Sequence, residues 1–259
     1  MSTNPAPPAA PAGRPSYLDA NAAFYDTFWT STPLYTSRYP NADEASRASV
    51  ILEHLSGLAE SQDWASTPPR LLDAGCGRGW LTALLAGYGH AEGCEPVPGA
   101  IDAAHHLFPH LTFHLATPGD LAHRPGFTPF DVVVSSEVLE HVPEGLQAGF
   151  VADLYACVRP GGFVILTTPR GELQSAVGAS SEQLLENWLT ERQVRTLLTG
   201  AGLTPLQVRR AFPTRASWLD RMLARWHRWT GPSRVSRSAL EQWLDHRSSL
   251  YQIWLARRP

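Results

Sequence analysis

The spacing of apolar residues changes along the chain and divides it into three parts. Residues 1–16 are rich in proline and alanine, which predicts a disordered leader. Over residues 17–64 the apolar positions follow helical spacing, with Val50, Ile51, Leu55 and Leu58 on one face. This second part is predicted to form an N-terminal helical lid, and residues 65–259 a larger domain.

Within the larger domain, short apolar runs alternate with helical stretches. The runs lie at residues 70–74, 91–95, 112–116, 131–135, 162–168, 203–209 and 251–256, and the helical stretches at 81–86, 101–107, 145–158 and 191–201. Alternating strands and helices predict an α/β fold, a Rossmann-like seven-stranded, mostly parallel sheet with helices on both faces. Residues 211–247 form a predicted helical insertion before the last strand. We expect the site at the edge where the parallel strands end.

The composition excludes several kinds of chemistry. All 21 basic residues are arginine, so neither a lysine Schiff base nor a lysine-containing phosphate loop can be present. Three separated cysteines without a CxxC pair indicate neither a disulfide framework nor a thiolate zinc site. The sequence lacks an apolar run of transmembrane length and a secretory leader, which predicts a cytoplasmic protein. No feature indicates an oligomeric state.

The charges are divided unevenly along the chain. Residues 1–190 hold 8 arginines and 20 acidic residues, whereas residues 191–259 hold 13 arginines and 4 acidic residues. An acidic body is therefore joined to a basic C-terminal region, and the acidic body disfavours a nucleic-acid partner for the chain as a whole.

A glycine-rich turn between a strand and a helix is the strongest chemical signal. It reads Asp73-Ala74-Gly75-Cys76-Gly77-Arg78-Gly79, and Glu95 ends the next strand 20 residues after Gly75. A dinucleotide fingerprint would need glycine where Trp80 stands, so a nicotinamide-dependent redox enzyme is disfavoured. A carboxylate at the end of the second strand is suited to accept the hydroxyl hydrogens of a ribose.

The turn resembles motif I, D-x-G-x-G-x-G, of the class I S-adenosylmethionine-dependent methyltransferases. Later segments are similar to the same family in the same order, including residues 130–142, the Pro160-Gly161-Gly162 strand and residues 188–203. The pattern is nearest to the small-molecule and ubiquinone-type O-methyltransferases. The resemblance implies a SAM-binding domain whose cofactor residues are Asp73, Ala74, Gly75, Cys76, Gly77, Gly79, Glu95, Pro96, Asp120, Leu121 and Ser136.

His141 is the candidate catalytic residue. It follows the fourth strand, at the rim that the resemblance places near the transferable methyl group. Histidine is suited to general-base work near neutral pH, which an unactivated hydroxyl acceptor would require. The alternative is that His141 packs or caps the following helix.

A metal site at the same place is a second, less favoured interpretation. Glu137, Glu140 and His141 would share a face if they lay on one helical turn, and such a set can hold a divalent cation. The E-x-x-E-H spacing is similar to that of ubiquinone-pathway O-methyltransferases and small-RNA 3′-end methyltransferases. The RNA enzymes carry a further histidine shortly downstream, and this sequence has none between His141 and His227.

Two regions are candidates for contacting the methyl acceptor. The first is the aromatic N-terminal segment with Tyr25, Trp29, Tyr35 and Arg38. The second is the insertion at residues 211–247, which includes Trp218 and Arg221 among four tryptophans and seven arginines. Such a basic, aromatic segment is consistent with an anionic or aromatic acceptor, a membrane surface, or an ordinary helix packed on the protein.

Together these features predict an enzyme that transfers a methyl group to a small molecule, with a hydroxyl oxygen as the favoured acceptor in cofactor or secondary-metabolite biosynthesis. The alternatives are N- or C-methylation of a small molecule, methylation of RNA, and a SAM-binding protein without turnover.

Overall fold

A computed structural model describes residues 37–174, 186–213 and 249–259. The predicted leader at 1–16, the aromatic positions Tyr25, Trp29 and Tyr35, and most of the 211–247 insertion with Trp218 and Arg221 lie outside these residues. Within them, no helix is long and apolar enough to cross a membrane.

Seven strands form one sheet, as the sequence predicts. They are β1 (Arg70–Ala74), β2 (His90–Glu95), β3 (Thr112–Leu115), β4 (Phe130–Ser136), β5 (Val158–Pro169), β6 (Thr204–Pro213) and β7 (Ser249–Arg257). Their order across the sheet is β3-β2-β1-β4-β5-β7-β6. Pairing is parallel from β3 to β5, whereas β7 runs antiparallel to both β5 and β6.

Six described α-helices cover the two faces of this sheet. They are α1 (Ala42–Ser61), α2 (Trp80–Leu85), α3 (Pro98–Leu107), α4 (Pro118–Ala122), α5 (Gln147–Cys157) and α6 (Glu191–Gly200). The side chains of a strand alternate between faces, so Leu71 packs with α1, α2 and α3 while Leu72 packs with α4, α5 and α6. Central strands such as β4 therefore read as continuous apolar runs, since both of their faces are buried.

The N-terminal helix α1 belongs to this core. Asn41 caps it, because its side chain accepts from the Glu44 amide and the Glu44 side chain accepts from the Asn41 amide. Ile51 and Leu55, both fully buried, pack with the sheet on the α2 and α3 side. This end of the predicted lid is thus fixed to the sheet, and its first turn lies near the ends of β1 and β4.

Candidate active site

A cavity of about 320 Å³ lies at the edge of the sheet where the parallel strands end. Its walls come from the glycine loop after β1, the end of β2, the loop after β4, the first turn of α1 and the start of β7. The volume is within the range of small-molecule sites. Ten predicted residues line it: Asp73, Gly75, Cys76, Gly77, Glu95, Pro96, Ser136, Glu137, Glu140 and His141.

The glycine loop needs glycine for two separate reasons. Gly75, Gly77 and Gly79 all have positive φ, at 83°, 49° and 82°, a region that other residues rarely adopt. A Cβ at Gly75 would also lie 2.3 Å from Val138 Cγ2 in the loop after β4. The bare backbone of this loop therefore allows two walls of the cavity to approach each other.

Glu95 is held in place by backbone amides. Its Oε2 accepts from the Gly77 amide at 3.2 Å, and its Oε1 accepts from the Val97 amide at 3.1 Å. The side chain is buried yet lines the cavity. A carboxylate oriented in this way is suited to bind two vicinal hydroxyl groups, the role that the resemblance predicts for it.

Asp73 lies deeper, at the end of β1. Its Oδ2 accepts from the Thr82 hydroxyl at 2.7 Å, and burial raises its pKa to about 7. Cys76 is also buried, and burial raises the pKa of its thiol well above the usual value. A buried thiol of high pKa is a poor nucleophile, so Cys76 serves as a small packing residue of the loop.

Five of the predicted site residues are placed away from the cavity lining. Ala74 and Leu121 are buried in the core, Gly79 begins α2, and the exposed Arg38 donates to the Leu107 carbonyl. Asp120 lies in the first turn of α4, where its Oδ2 accepts from the Thr117 amide at 3.2 Å and from the Thr117 hydroxyl at 2.8 Å. Contact of these five residues with a ligand stays a prediction.

The loop after β4 differs from the expected helical turn. Glu137 has a φ of 58°, and only a short 3₁₀ turn follows, at Leu139–His141. The prediction that Glu137, Glu140 and His141 share a helical face is therefore wrong, because Glu137 has left-handed backbone and lies outside the 3₁₀ turn. Among the described residues no group of three or more histidine, cysteine or acidic side chains could hold a metal ion.

Each carboxyl group of this loop instead bonds to a threonine of β5. Thr167 donates to Glu137 Oε1 at 2.8 Å, and Thr168 donates to Glu140 Oε2 at 2.9 Å. Burial, with the nearby Glu140, raises the pKa of Glu137 to about 8. Burial raises the pKa of Glu140 to about 7. His141 lines the cavity beside them, with its Nε2 3.8 Å from Glu140 Oε1.

Arg47 of α1 brings a buried cation to these acids, and the sequence reasoning missed it. Its Nε lies 3.8 Å from Glu137 Oε1, and its guanidinium stacks 4.4 Å from the centre of the Tyr251 ring. Burial lowers the pKa of Arg47 but Glu137 and other neighbours outweigh it, so the pKa is raised. The one sequence signal for Arg47 is helical spacing, because it lies three and four residues before Val50 and Ile51 on the buried side of α1.

Arg78 is a second charged residue that the sequence reasoning did not single out. It lies inside the glycine loop, is fully buried, and forms a bidentate ion pair with Glu44 of α1. The sequence signal was available in part, since Asn41 and Glu44 have the spacing of a capping box. The pairing of Arg78 with Glu44, 34 residues earlier in the chain, could not be predicted from that spacing.

The chain belongs to a family of methyltransferase domains, whose sequence profile matches residues 46–247. The predicted membership in the methyltransferases is thereby confirmed.

Individual relatives are similar over shorter stretches. The ubiquinone biosynthesis O-methyltransferase of Burkholderia multivorans is 37% identical over 112 residues, or 41% of this chain and 47% of that protein. The enzyme of the same description from Aromatoleum aromaticum is 38% identical over 104 residues, or 38% of this chain and 43% of its own length. The chain thus spans less than half the length of these curated relatives.

Solved structures share the fold over nearly the whole chain. A Burkholderia thailandensis 1,6-didemethyltoxoflavin-N1-methyltransferase, solved with its substrate and S-adenosylhomocysteine, superposes with a TM-score of 0.59 at 20% identity, covering 98% of this chain and 93% of that one. A geranyl diphosphate C-methyltransferase from Streptomyces coelicolor superposes with a TM-score of 0.61 at 16% identity, covering 96% and 100%. At these identities the similarity supports the fold, which confirms the predicted architecture.

Proposed function

We propose that the protein transfers a methyl group from S-adenosylmethionine to a hydroxyl oxygen of a small molecule. The observation that carries this proposal is the shared cavity, in which the glycine loop and Glu95 form one wall and His141 lies on another. The O-methyltransferases among the relatives favour oxygen as the acceptor atom. The cytoplasmic location stays a prediction.

The residues around the glycine loop fit the proposed cofactor. Glu95 offers carboxylate oxygens to the ribose hydroxyl groups, and Pro96 and Val97 line the adjoining wall for the adenine. The buried guanidinium of Arg47 is available for the carboxylate of the amino-acid end, and Asp73 lies toward its ammonium. When bound, S-adenosylmethionine supplies a methyl group on a positively charged sulfur, already activated for displacement.

The acceptor side needs a group that removes a proton from a hydroxyl. His141 Nε2 is the candidate atom, since the residue lines the cavity and is only partly buried. The proton would pass from the hydroxyl oxygen to Nε2, and the Glu140 carboxyl group at 3.8 Å would stabilise the imidazolium that forms. Metal coordination is not needed in this scheme.

The lining favours a neutral aromatic acceptor. Its described residues include seven acidic side chains against one arginine and one histidine, and Phe150, Trp188 and Tyr251 add aromatic surface. Glu44 is neutralised by Arg78, and Asp73, Glu137 and Glu140 have pKa values raised to about 7 or 8, so only part of this acidic lining is charged near pH 7. The remaining carboxylates disfavour both an RNA backbone and a strongly anionic small molecule. The acceptor's class is therefore proposed to be a phenol or catechol without a carboxylate.

The test combines S-adenosylmethionine with a panel of phenols and catechols and matched aromatic amines. Release of S-adenosylhomocysteine and a product heavier by one methylene group on the hydroxyl compounds would support the proposal. Methylation confined to the amines, or a protein that binds neither S-adenosylmethionine nor S-adenosylhomocysteine, would contradict it.

His141→Ala tests the assigned base. We expect kcat to fall about 100-fold while the affinity for S-adenosylhomocysteine stays unchanged, because the side chain acts on the acceptor proton. His106→Ala, at an exposed position on α3, is the matched control and should leave both values unchanged. A His141→Ala enzyme with full turnover would remove the base assignment.

A further inference from the structure

Arg78 is the most completely bonded charged side chain of the glycine loop. Its Nη1 and Nη2 donate to the two carboxylate oxygens of Glu44 at 2.7 and 2.8 Å. Its Nε donates to the Ser37 carbonyl at 2.7 Å, and Nη2 also donates to the Tyr39 carbonyl at 3.2 Å. Every one of these acceptors lies in α1 or in the segment directly before it.

The acceptors belong to a wall of the cavity. Glu44 is in the first turn of α1, and Asn41, Asp43, Glu44 and Arg47 at this end of the helix all line the cavity together with Gly75 and Gly77. A ligand that touches the glycine loop therefore lies between two surfaces that Arg78 connects. The connection does not run through the ligand, because Arg78 itself is absent from the lining and is fully buried.

Burial makes this ion pair costly to separate. Arg78 is 0% exposed and Glu44 is 4% exposed, so separating them without access to water would leave two desolvated charges. The first turn of α1 can move away from the glycine loop only by breaking the ion pair with Arg78 or by carrying the Arg78 side chain with it. Docking of the turn and the shape of the loop are therefore one structural event.

We propose that Arg78 is a positioning residue that couples the glycine loop to the first turn of α1, so that cofactor binding and docking of this turn stabilise each other. The inference rests on the proposed function, because it takes the ligand between the two walls to be S-adenosylmethionine or its product. Linkage makes the effect reciprocal: whatever the docked turn adds to affinity, the ligand adds to docking.

The experiment measures S-adenosylhomocysteine binding by calorimetry, and hydrogen exchange of a peptide covering residues 41–47 with and without this ligand. In the wild type, the ligand should slow exchange of the peptide. In Arg78→Met, we expect affinity to fall about tenfold or more and the ligand-dependent protection to disappear.

Two further variants separate coupling from simple loss of stability. Arg70→Met is the matched control, because Arg70 pairs with Glu92 at 2.9 Å on β1 and β2, away from the cavity, and it should bind the ligand as the wild type does. The double variant Arg78→Met/Glu44→Gln leaves no unpaired buried charge and keeps a side chain able to cap α1. It should fold more stably than Arg78→Met yet still bind weakly and without protection.

The inference is overturned if Arg78→Met or the double variant binds S-adenosylhomocysteine with wild-type affinity and shows the same protection of residues 41–47. If the wild type itself does not bind this compound, the proposed function fails instead. In that case the melting temperatures of Arg78→Met, of a single variant Glu44→Gln and of the double variant still report whether Arg78 and Glu44 are energetically coupled.

Discussion

The two ends of the cavity differ in how their acids are arranged. At the glycine-loop end, formed by Asp73, Gly75, Gly77 and Glu95, each acid has its own hydrogen-bond donors, whereas at the β4-loop end two buried acids and a histidine lie close together, although each acid there also accepts from a threonine of β5. At the glycine-loop end, Glu95 accepts hydrogen bonds from the backbone amides of Gly77 and Val97. At the β4-loop end, formed by Arg47, Glu137, Glu140 and His141, burial and the nearby Glu140 raise the pKa of Glu137 to about 8, burial raises the pKa of Glu140 to about 7, and Glu137 has a left-handed φ. The glycine-loop end therefore holds Glu95 by backbone hydrogen bonds, whereas the β4-loop end combines neighbouring buried acids with left-handed backbone at Glu137.

The two ends of the cavity differ in a way that suits one to cofactor binding and the other to proton transfer. A preorganised end suits a cofactor that is the same in every catalytic cycle, because preorganisation lowers the ordering cost of binding. An end with crowded carboxyl groups suits chemistry, since shifted pKa values and strained backbone concentrate where protons move.

Gly75→Ala should have the largest effect, because it acts where the two ends touch. The new Cβ would overlap Val138 Cγ2 and would require a positive φ of an alanine. We expect a loss of about 3 kcal/mol or more in the free energy of unfolding, measured by urea denaturation, and no detectable S-adenosylhomocysteine binding.

Gly57→Ala is the control for this change. Gly57 lies in the middle of α1, and a Cβ added there would have open space within 4 Å, so alanine should stabilise the protein by about 0.5–1 kcal/mol. Wild-type stability and binding in Gly75→Ala would mean that the contact between the two ends is not tight.

Glu95→Gln should have the next largest effect and should be confined to the glycine-loop end. An amide puts an NH₂ group against a backbone N–H, either that of Gly77 or that of Val97, and offers one acceptor fewer to a ribose. The affinity for S-adenosylhomocysteine, measured by calorimetry, should fall about 10- to 100-fold.

Glu92→Gln, on the same strand, is the matched control. Glu92 pairs with Arg70 and His114 away from the cavity, so its substitution should leave binding unchanged. Equal losses in both variants would show that β2 tolerates no change of charge, rather than that Glu95 contacts the ligand.

Glu137→Gln should have the smallest effect. The change is expected in how the free energy of unfolding depends on pH. The pKa of Glu137 is about 8 in the folded protein, above the ordinary 4.5, so the folded state binds the extra proton between these values. The contribution of Glu137 is complete below pH 4.5 and is lost as pH rises through 8.

The variant lacks this titration, so its unfolding free energy should decline less than that of the wild type between pH 5 and 8, by about 1 kcal/mol or more. Asp102→Asn, at an exposed position on α3, is the matched control and should leave the slope over this range unchanged. Parallel curves for the wild type and Glu137→Gln would contradict the crowding of charge at the β4-loop end.

The elements and the glycine-loop end could be predicted from the sequence because they depend on neighbours in the chain. Buried parallel strands are apolar runs, so β1 was predicted with its observed bounds, and Gly75 and Glu95 each follow directly from a strand end. β5 begins earlier than predicted, at Val158, because its first residues include Arg159, Pro160 and Gly161, which do not form an apolar run.

The β4-loop end could be predicted only in part because its properties come from distant residues. Arg47 reaches Glu137 from α1, and Tyr251 donates to Asp43 across 208 residues. The left-handed backbone at Glu137 has no signal in its residue type, since glutamate seldom adopts it. Spacing alone therefore suggested a helical face that the backbone does not form.

The position of β7 has a consequence for how the sheet is assembled. Among the described strands β6 pairs with β7 alone, and β7 fills the gap between β5 and β6 although it is the last of the seven to be synthesised. During translation β5 and β6 must wait for their shared neighbour, with open hydrogen-bonding edges that could pair with other chains. The seven-stranded sheet can therefore be completed only after Arg257 has been synthesised. A chain truncated before β7 would keep unpaired strand edges and would be prone to aggregation and proteolysis.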